Sequence, residues 1–174
     1  MGQAHGARKV TARDTILSAI RAADVPPAPI AAAVPRDPVT HDLLEQFMRL
    51  VVDVGGHAIV CASGQSAQDV INGLFVEPHE VVVAPGRFAV AENGAVYVDA
   101  MDLTARVDIV RAEHLVLTIS RATIVPTMHE AVRLMPRDSA CGWFISGPSK
   151  TADIEQSLVI GAQGARSLHV VVSA

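Results

Sequence analysis

The sequence predicts an α/β domain, a mostly parallel sheet flanked by helices, and three observations carry that expectation. Half of the 174 residues are apolar but only 3% are aromatic. The core is therefore built from Val, Ile, Leu and Ala, and aliphatic strands of this kind suit a parallel sheet covered on both faces. Short apolar runs alternate with stretches of helical period along most of the chain, and the connections between them are short, as in βαβ units.

Taken in order, "TARDTILSAIRAAD" places Ile16, Leu17 and Ile20 on one helical face, with Thr11 or Asp14 as cap. "VPPAPIAAAVPRDP" follows with five of the ten prolines and reads as an extended connector. Residues 1–38 are thus expected to be a helix and a proline-rich arm, and residues 39–174 a single α/β domain. The arm is a candidate for reaching a partner or for self-association into a homodimer. "THDLLEQFMRLVVDVGG" is an amphipathic helix capped by Thr40 and stopped by Gly55-Gly56. "HAIVCA" is a strand, "GQSAQDVINGLF" a short helix and "EVVVA" a second strand. In "RFAVAENGAVYVDA" two strand-like runs flank Asn93-Gly94, a strong hairpin signal. "HLVLTIS" is a strand, "VPTMHEAVRLM" a helix, "CGWFIS" a strand, "TADIEQSLVIG" a helix and "LHVVVS" the last strand.

Several function classes fit poorly. The formal net charge is −4 and basic residues cluster only at Arg8-Lys9, so no nucleic acid is expected. No apolar run approaches the roughly 18 residues of a membrane span, and the first ten residues lack the apolar stretch of a signal peptide, so a cytoplasmic location is expected. Cys61 and Cys141 each lie inside an apolar run and form no CxxC, so buried reduced thiols are expected and no iron–sulfur cluster in this chain.

The stretch "FISGPSKTADIEQSL" is the strongest candidate for a site. In open α/β sheets ligands bind beyond the carboxyl ends of the strands, and here a strand meets a corner before an expected helix. Gly147 permits a sharp turn and Pro148 fixes one dihedral. Ser149, Thr151 and Asp153 are each candidate caps, and Asp153 with Gln156 approximates a capping box. The free N–H groups of such a helix end, with Lys150, would suit a small carboxylate or phosphate. Asp153 and Glu155 already complement the helix dipole, and at about 100° per residue they point to roughly opposite sides. Structural capping and ligand binding both remain open for Gly147, Pro148, Ser149, Lys150, Thr151, Asp153 and Glu155.

"FISGPSKTADIEQSLVIGAQGARSLHVVV" closely resembles the carboxyl-terminal signature of the LUD-domain family, to which the lactate-utilisation protein C group belongs. "AENGAVYV" and "AEHLVLTISRATIVPTMHEAVRLM" resemble the same family in the same order. The resemblance covers residues 80–174 well, 40–80 loosely and the first 38 hardly at all. It implies an α/β fold of the ribose-phosphate isomerase and CoA-transferase superfamily, with its three-layer architecture. It also implies a part in oxidising L-lactate to pyruvate beside two iron–sulfur partner proteins, which would carry the clusters. The family often reads GVHGPR where this chain has Gly161 to Arg166 as "GAQGAR", without the His and Pro. The resemblance carries over no catalytic residue.

"AENG" is also similar to the S-E-N-G stretch of class I CoA-transferases, with Ala91 in place of Ser. Glu92 would then be a carboxylate nucleophile forming a reactive mixed anhydride, in a desolvated pocket with oxyanion donors, while Asn93 and Gly94 contact ligand. The bland reading is an exposed Glu in a hairpin turn, and a Glu92 that binds without reacting lies between. His114, where the resembling family often has His, is a candidate proton carrier or orienting donor, or a hydrogen-bonded structural residue. His57 and His169 open strands and read as edge or core residues. His129-Glu130 starts an HExxH-like string that ends on Arg133, so no zinc site is expected, and no His/Cys/carboxylate spacing suits any other metal.

Three functions follow as expectations. The first is an accessory subunit of an L-lactate-oxidising iron–sulfur system, binding a small anion at the corner. The second is an acyl- or CoA-transferring enzyme using Glu92. The third is a stand-alone metabolite-binding regulatory protein.

Overall fold

In the computed structural model of the protein, the described residues are 11–23, 42–75, 80–104, 106–151 and 158–174. The chain divides into two units, Met1–Asp37 and Pro38–Ala174. In the first, helix α1 (Ala12–Ala22) is closed by a capping box in which Thr11 and Asp14 satisfy each other's backbone N–H groups. Its apolar residues Ile16 and Ile20 are exposed.

The second unit opens with helix α2 (Leu43–Asp53), whose N-cap is Asp42, accepting from Leu44 N–H. Asp42 takes the role expected of Thr40, which lies outside the described residues. Strand β1 (His57–Val60), helix α3 (Ala67–Leu74) and strand β2 (Val81–Pro85) follow, with a second capping box, Ser66 and Asp69, starting α3. Next come β3 (Phe88–Val90), β4 (Ala95–Asp99), α4 (Asp108–Arg111), β5 (His114–Ser120), β6 (Ile124–Val125), α5 (Met128–Leu134) and β7 (Gly142–Ile145). Strands β8 (Lys150–Thr151), β9 (Val159–Ile160) and β10 (Ser167–Ser173) complete the chain.

Four strands in the order β1-β10-β5-β2 form an entirely parallel sheet. A second sheet, β6-β3-β4-β7, is mixed. The inner face of the parallel sheet, with Leu115, Leu117, Leu168 and Val170, shares one core with Phe47 and Val51 of α2 and with Val96 and Val98 of β4. Burying each such side chain stabilises by about 1.5–3 kcal/mol. Ile71 of α3 packs on Val116 and Val171 on the outer face. Helix α5 covers the far side of the second sheet through Ala131, beside Phe88, Val90 and Tyr97. The α/β architecture is therefore the one expected, a parallel sheet flanked by helices.

Two local expectations change. The hairpin around Asn93-Gly94 exists, but Val90 pairs with Ala95, so its loop is the four residues 91–94 rather than a two-residue turn. The helix expected over "TADIEQSLVIG" does not open at Thr151 or close at Gly161. Lys150 pairs with Ile160 and Thr151 with Val159 in a two-stranded antiparallel ladder, while residues 152–157 lie outside the described set. Ser149 N–H donating to Ala165 and Gly161 N–H donating to Ser149 hold the chain there, a pairing between distant positions that helical periodicity does not register.

Candidate functional site

The corner after β7 borders a cavity of about 370 Å³. That volume lies in the range of small-molecule sites. Its floor is aliphatic: Ile109 and Val110 from α4, Leu115 from β5, Ile145 from β7 and Leu168 from β10. Trp143, the only tryptophan in the chain, lines one side. Polar groups come from Ser149 and Thr151 on the corner and from Gln163 on the facing loop. Five of the expected site residues, Gly147, Pro148, Ser149, Lys150 and Thr151, therefore share one concavity. Asp153 and Glu155 lie outside the described residues.

The position of this cavity differs from the expected one. Leu115 and Leu168 are the second residues of β5 and β10, so the cavity sits at the amino ends of the parallel strands, not beyond their carboxyl ends. The reason is that β7 belongs to the second sheet and runs antiparallel to β4, so its end is not bound to the polarity of the parallel sheet.

Local geometry explains the corner. Gly147 has φ of 73°, and a Cβ there would approach the Val54 carbonyl to 2.6 Å. Only glycine lets the strand end fold against the carboxyl end of α2. Lys150 Nζ donates to that same Val54 carbonyl at 2.6 Å. Its ammonium thus serves the last turn of α2, where a cation also suits the negative end of the dipole.

Glu92, Asn93 and Gly94 lie next to this corner but do not line the cavity. Ser146 Oγ donates to the Asn93 carbonyl at 2.9 Å. Asn93 Oδ1 accepts from Ala95 N–H, and Gly94, at φ of 67°, lies so close to α2 that a Cβ would meet Val51 N at 2.9 Å. The Glu92 carboxylate turns away and accepts the N–H of Met128 at 2.8 Å, capping the first turn of α5. Glu92 is exposed there, which is far from the desolvation that a carboxylate nucleophile needs.

His114 is on the outer face of the parallel sheet, away from the cavity. Its Nδ1 is 2.7 Å from Ser167 Oγ, which is 3.0 Å from His169 Nε2. Burial, with repulsion from His57 and His114, pushes His169 down from 6.5 to about 4.

Sequence reasoning missed a second polar cluster. Asp99 is wholly buried at the end of β4 and accepts from Met101 N–H and Ser139 Oγ, both at 2.9 Å, and from the Tyr97 hydroxyl at 3.4 Å. These bonds, the Met101 N–H foremost, with Arg87 at 3.7 Å, hold its carboxyl below the ordinary value. Burial pushes the Tyr97 phenol up. Arg87 reaches on to Asp102 through two bonds, at 2.6 and 3.0 Å. A lone Asp closing an alternating strand was the available signal. Trp143 and Gln163 were missed for another reason: one sits inside a strand and the other in the loop where the chain departs from its resembling family, and only folding brings them to the corner. Cys61 and Cys141 are free and half-buried. Among the described residues no group of three His, Cys, Asp or Glu is placed to hold a metal, and no helix is long and apolar enough to cross a membrane.

Comparison with known proteins agrees with the sequence resemblance. Residues 80–173 match the LUD domain family. Lactate utilization protein C 1 of Bacillus mycoides (strain KBAB4) is 30% identical over 106 residues, 56% of this chain and 45% of that protein. Lactate utilization protein C of Halalkalibacterium halodurans is 30% identical over 104 residues, covering 55% of this chain and 45% of the relative. The matches thus span about half the length of these curated relatives. A solved structure described as a DUF162 family protein from Deinococcus radiodurans superposes with a TM-score of 0.56 at 16% identity, covering 76% of this chain and 97% of that one. At that identity the likeness speaks for the fold alone.

Proposed function

This chain belongs to the LUD-domain family, and from that premise we propose that it serves lactate utilisation as an accessory, ligand-binding subunit. Its partners would be two iron–sulfur proteins that carry the redox chemistry. The relatives named lactate utilization protein C support the pathway. The observation that carries the binding role is the cavity at the Gly147–Thr151 corner, aliphatic on its floor and polar at Ser149, Thr151 and Gln163. A short carbon skeleton with one carboxylate or phosphate fits that division, its apolar part against Leu115 and Leu168 and its polar end on the corner.

Trp143 makes a direct test available, because it lines the cavity and is the only tryptophan. Titration with small 2-hydroxy and 2-oxo acids and with inorganic phosphate is expected to change its fluorescence. A ligand at 100 times its dissociation constant should also add about 2.7 kcal/mol of stability. Gln163→Ala should weaken both effects. If no acid and no phosphate alters either readout, the binding role is wrong. Anaerobic co-purification tests the partners separately: a chain that emerges alone in the presence of both iron–sulfur proteins overturns the accessory role.

Acyl transfer through Glu92 remains the alternative reading. It would require the carboxylate to leave the Met128 cap for a desolvated pocket.

A further inference from the structure

We propose that His57, His114 and His169, with Ser167 between them, form an acid-sensitive latch that keeps α3 and Phe75 seated on the outer face of the parallel sheet. His57 and His169 are register partners, and their rings stack with centroids 4.6 Å apart and 20° between planes. Ser167 is the register partner of His114 and touches both His114 Nδ1 and His169 Nε2. A hydroxyl has one proton, so Ser167 donates to at most one of the two imidazoles, and a ring that accepts from it is held neutral. Phe75, the C-cap of α3, lies over this layer, 5.0 Å from the His114 ring and 5.2 Å from the His169 ring. The end of α3 therefore rests on imidazoles, while Ile71 holds its middle on Val116 and Val171.

A proton disturbs this arrangement. His169 Nδ1 is buried with no hydrogen-bond partner among the described residues, so a proton added there meets no acceptor. It also faces His57 on β1 and His114 on β5. Among the described residues, the other titratable groups on the packed elements are Cys61 after β1, Asp69 on α3 and Glu80 before β2. Asp69 is bonded to Ser66, and among the described residues no carboxylate offsets the burial and the two imidazoles acting on His169. The seated state holds His169 near 4; lifting α3 removes the burial that lowers it most and moves it part of the way back toward 6.5, while His57 and His114 stay beside it on the sheet. Acid therefore favours lifting. Linkage across that gap gives up to roughly 30-fold at about pH 5, and solvent screening of a half-exposed ring brings the expected change to about tenfold.

Hydrogen exchange reads this directly. Protection of the amides in residues 67–75 is expected to fall about tenfold between about pH 7.5 and about pH 5, after correction for intrinsic rates, while α5 on the other sheet keeps its protection. In His169→Gln the pH dependence at α3 should vanish. In His57→Phe, which keeps a stacked ring at an exposed position and removes the repelling charge, it should shrink. Protection at α3 that is indifferent to pH in the native chain overturns the latch. So does a pH dependence that survives unchanged in His57→Phe, a measurement that stands even if His169→Gln fails to fold.

Discussion

Ser146 Oγ donates to the carbonyl of Asn93 across 2.9 Å, so the glycine–proline corner and the AENG loop are tied side by side although 53 positions separate them. Both then lean on α2, Gly94 against Leu50 and Val51, Gly147 against Val54. Gly147→Ala places a Cβ at 2.6 Å from the Val54 carbonyl and strains a φ of 73°. The expected cost is about 1–3 kcal/mol, read by urea denaturation, together with loss of the ligand-induced change in Trp143 fluorescence.

Glu92→Ala removes a helix cap and leaves the cavity intact. Stability is expected to drop by about 1 kcal/mol while the Trp143 response to ligand is unaltered. An acyl-transfer activity present in the native chain and absent from this variant would instead restore the nucleophile reading.

Asp99 and Asp102 both face Arg87 but are expected to behave differently. Asp99→Ala removes the acceptor of the Met101 N–H and of the Tyr97 hydroxyl, while the Ser139 hydroxyl keeps the Cys141 carbonyl, at about 1–3 kcal/mol. Asp102→Ala breaks a pair open to water and should cost under about 1 kcal/mol. Chemical denaturation of the two variants, with unchanged m-values, checks the contrast.

Stability should depend on pH through His169. Its folded value, about 4, lies below the ordinary 6.5, so the unfolded chain takes the proton first. The contribution is whole above 6.5 and is lost as pH falls toward 4. After allowance for solvent it amounts to about 2 kcal/mol. Asp99, held below 3.8, removes its own contribution only further into acid. Thermal melts across this range should show the histidine step in the native chain and lack it in His169→Gln.

The strands β1, β2, β5 and β10 were legible because each is a short aliphatic run, and α2, α3 and α5 because their periodicity and caps are local. The site was legible only in part. The corner residues carry turn chemistry in their own identities, so Gly147 to Thr151 could be singled out. The helix expected to follow them was not realised at its ends, because Lys150 pairs with Ile160 and Thr151 with Val159 in an antiparallel ladder, a pairing that outweighs local propensity.

The sequence by itself determined the fold class, the family and the stretch that forms the cavity's polar rim, since all three rest on residue types and spacings along the chain. Tertiary structure alone decided which end of the sheet holds the cavity, that Trp143 and Gln163 join it, that the Glu92 carboxylate caps α5, and that three histidines on separate strands meet around Ser167. Those outcomes depend on strand order and register. Once the core is packed, these fix contacts between residues that no local pattern connects.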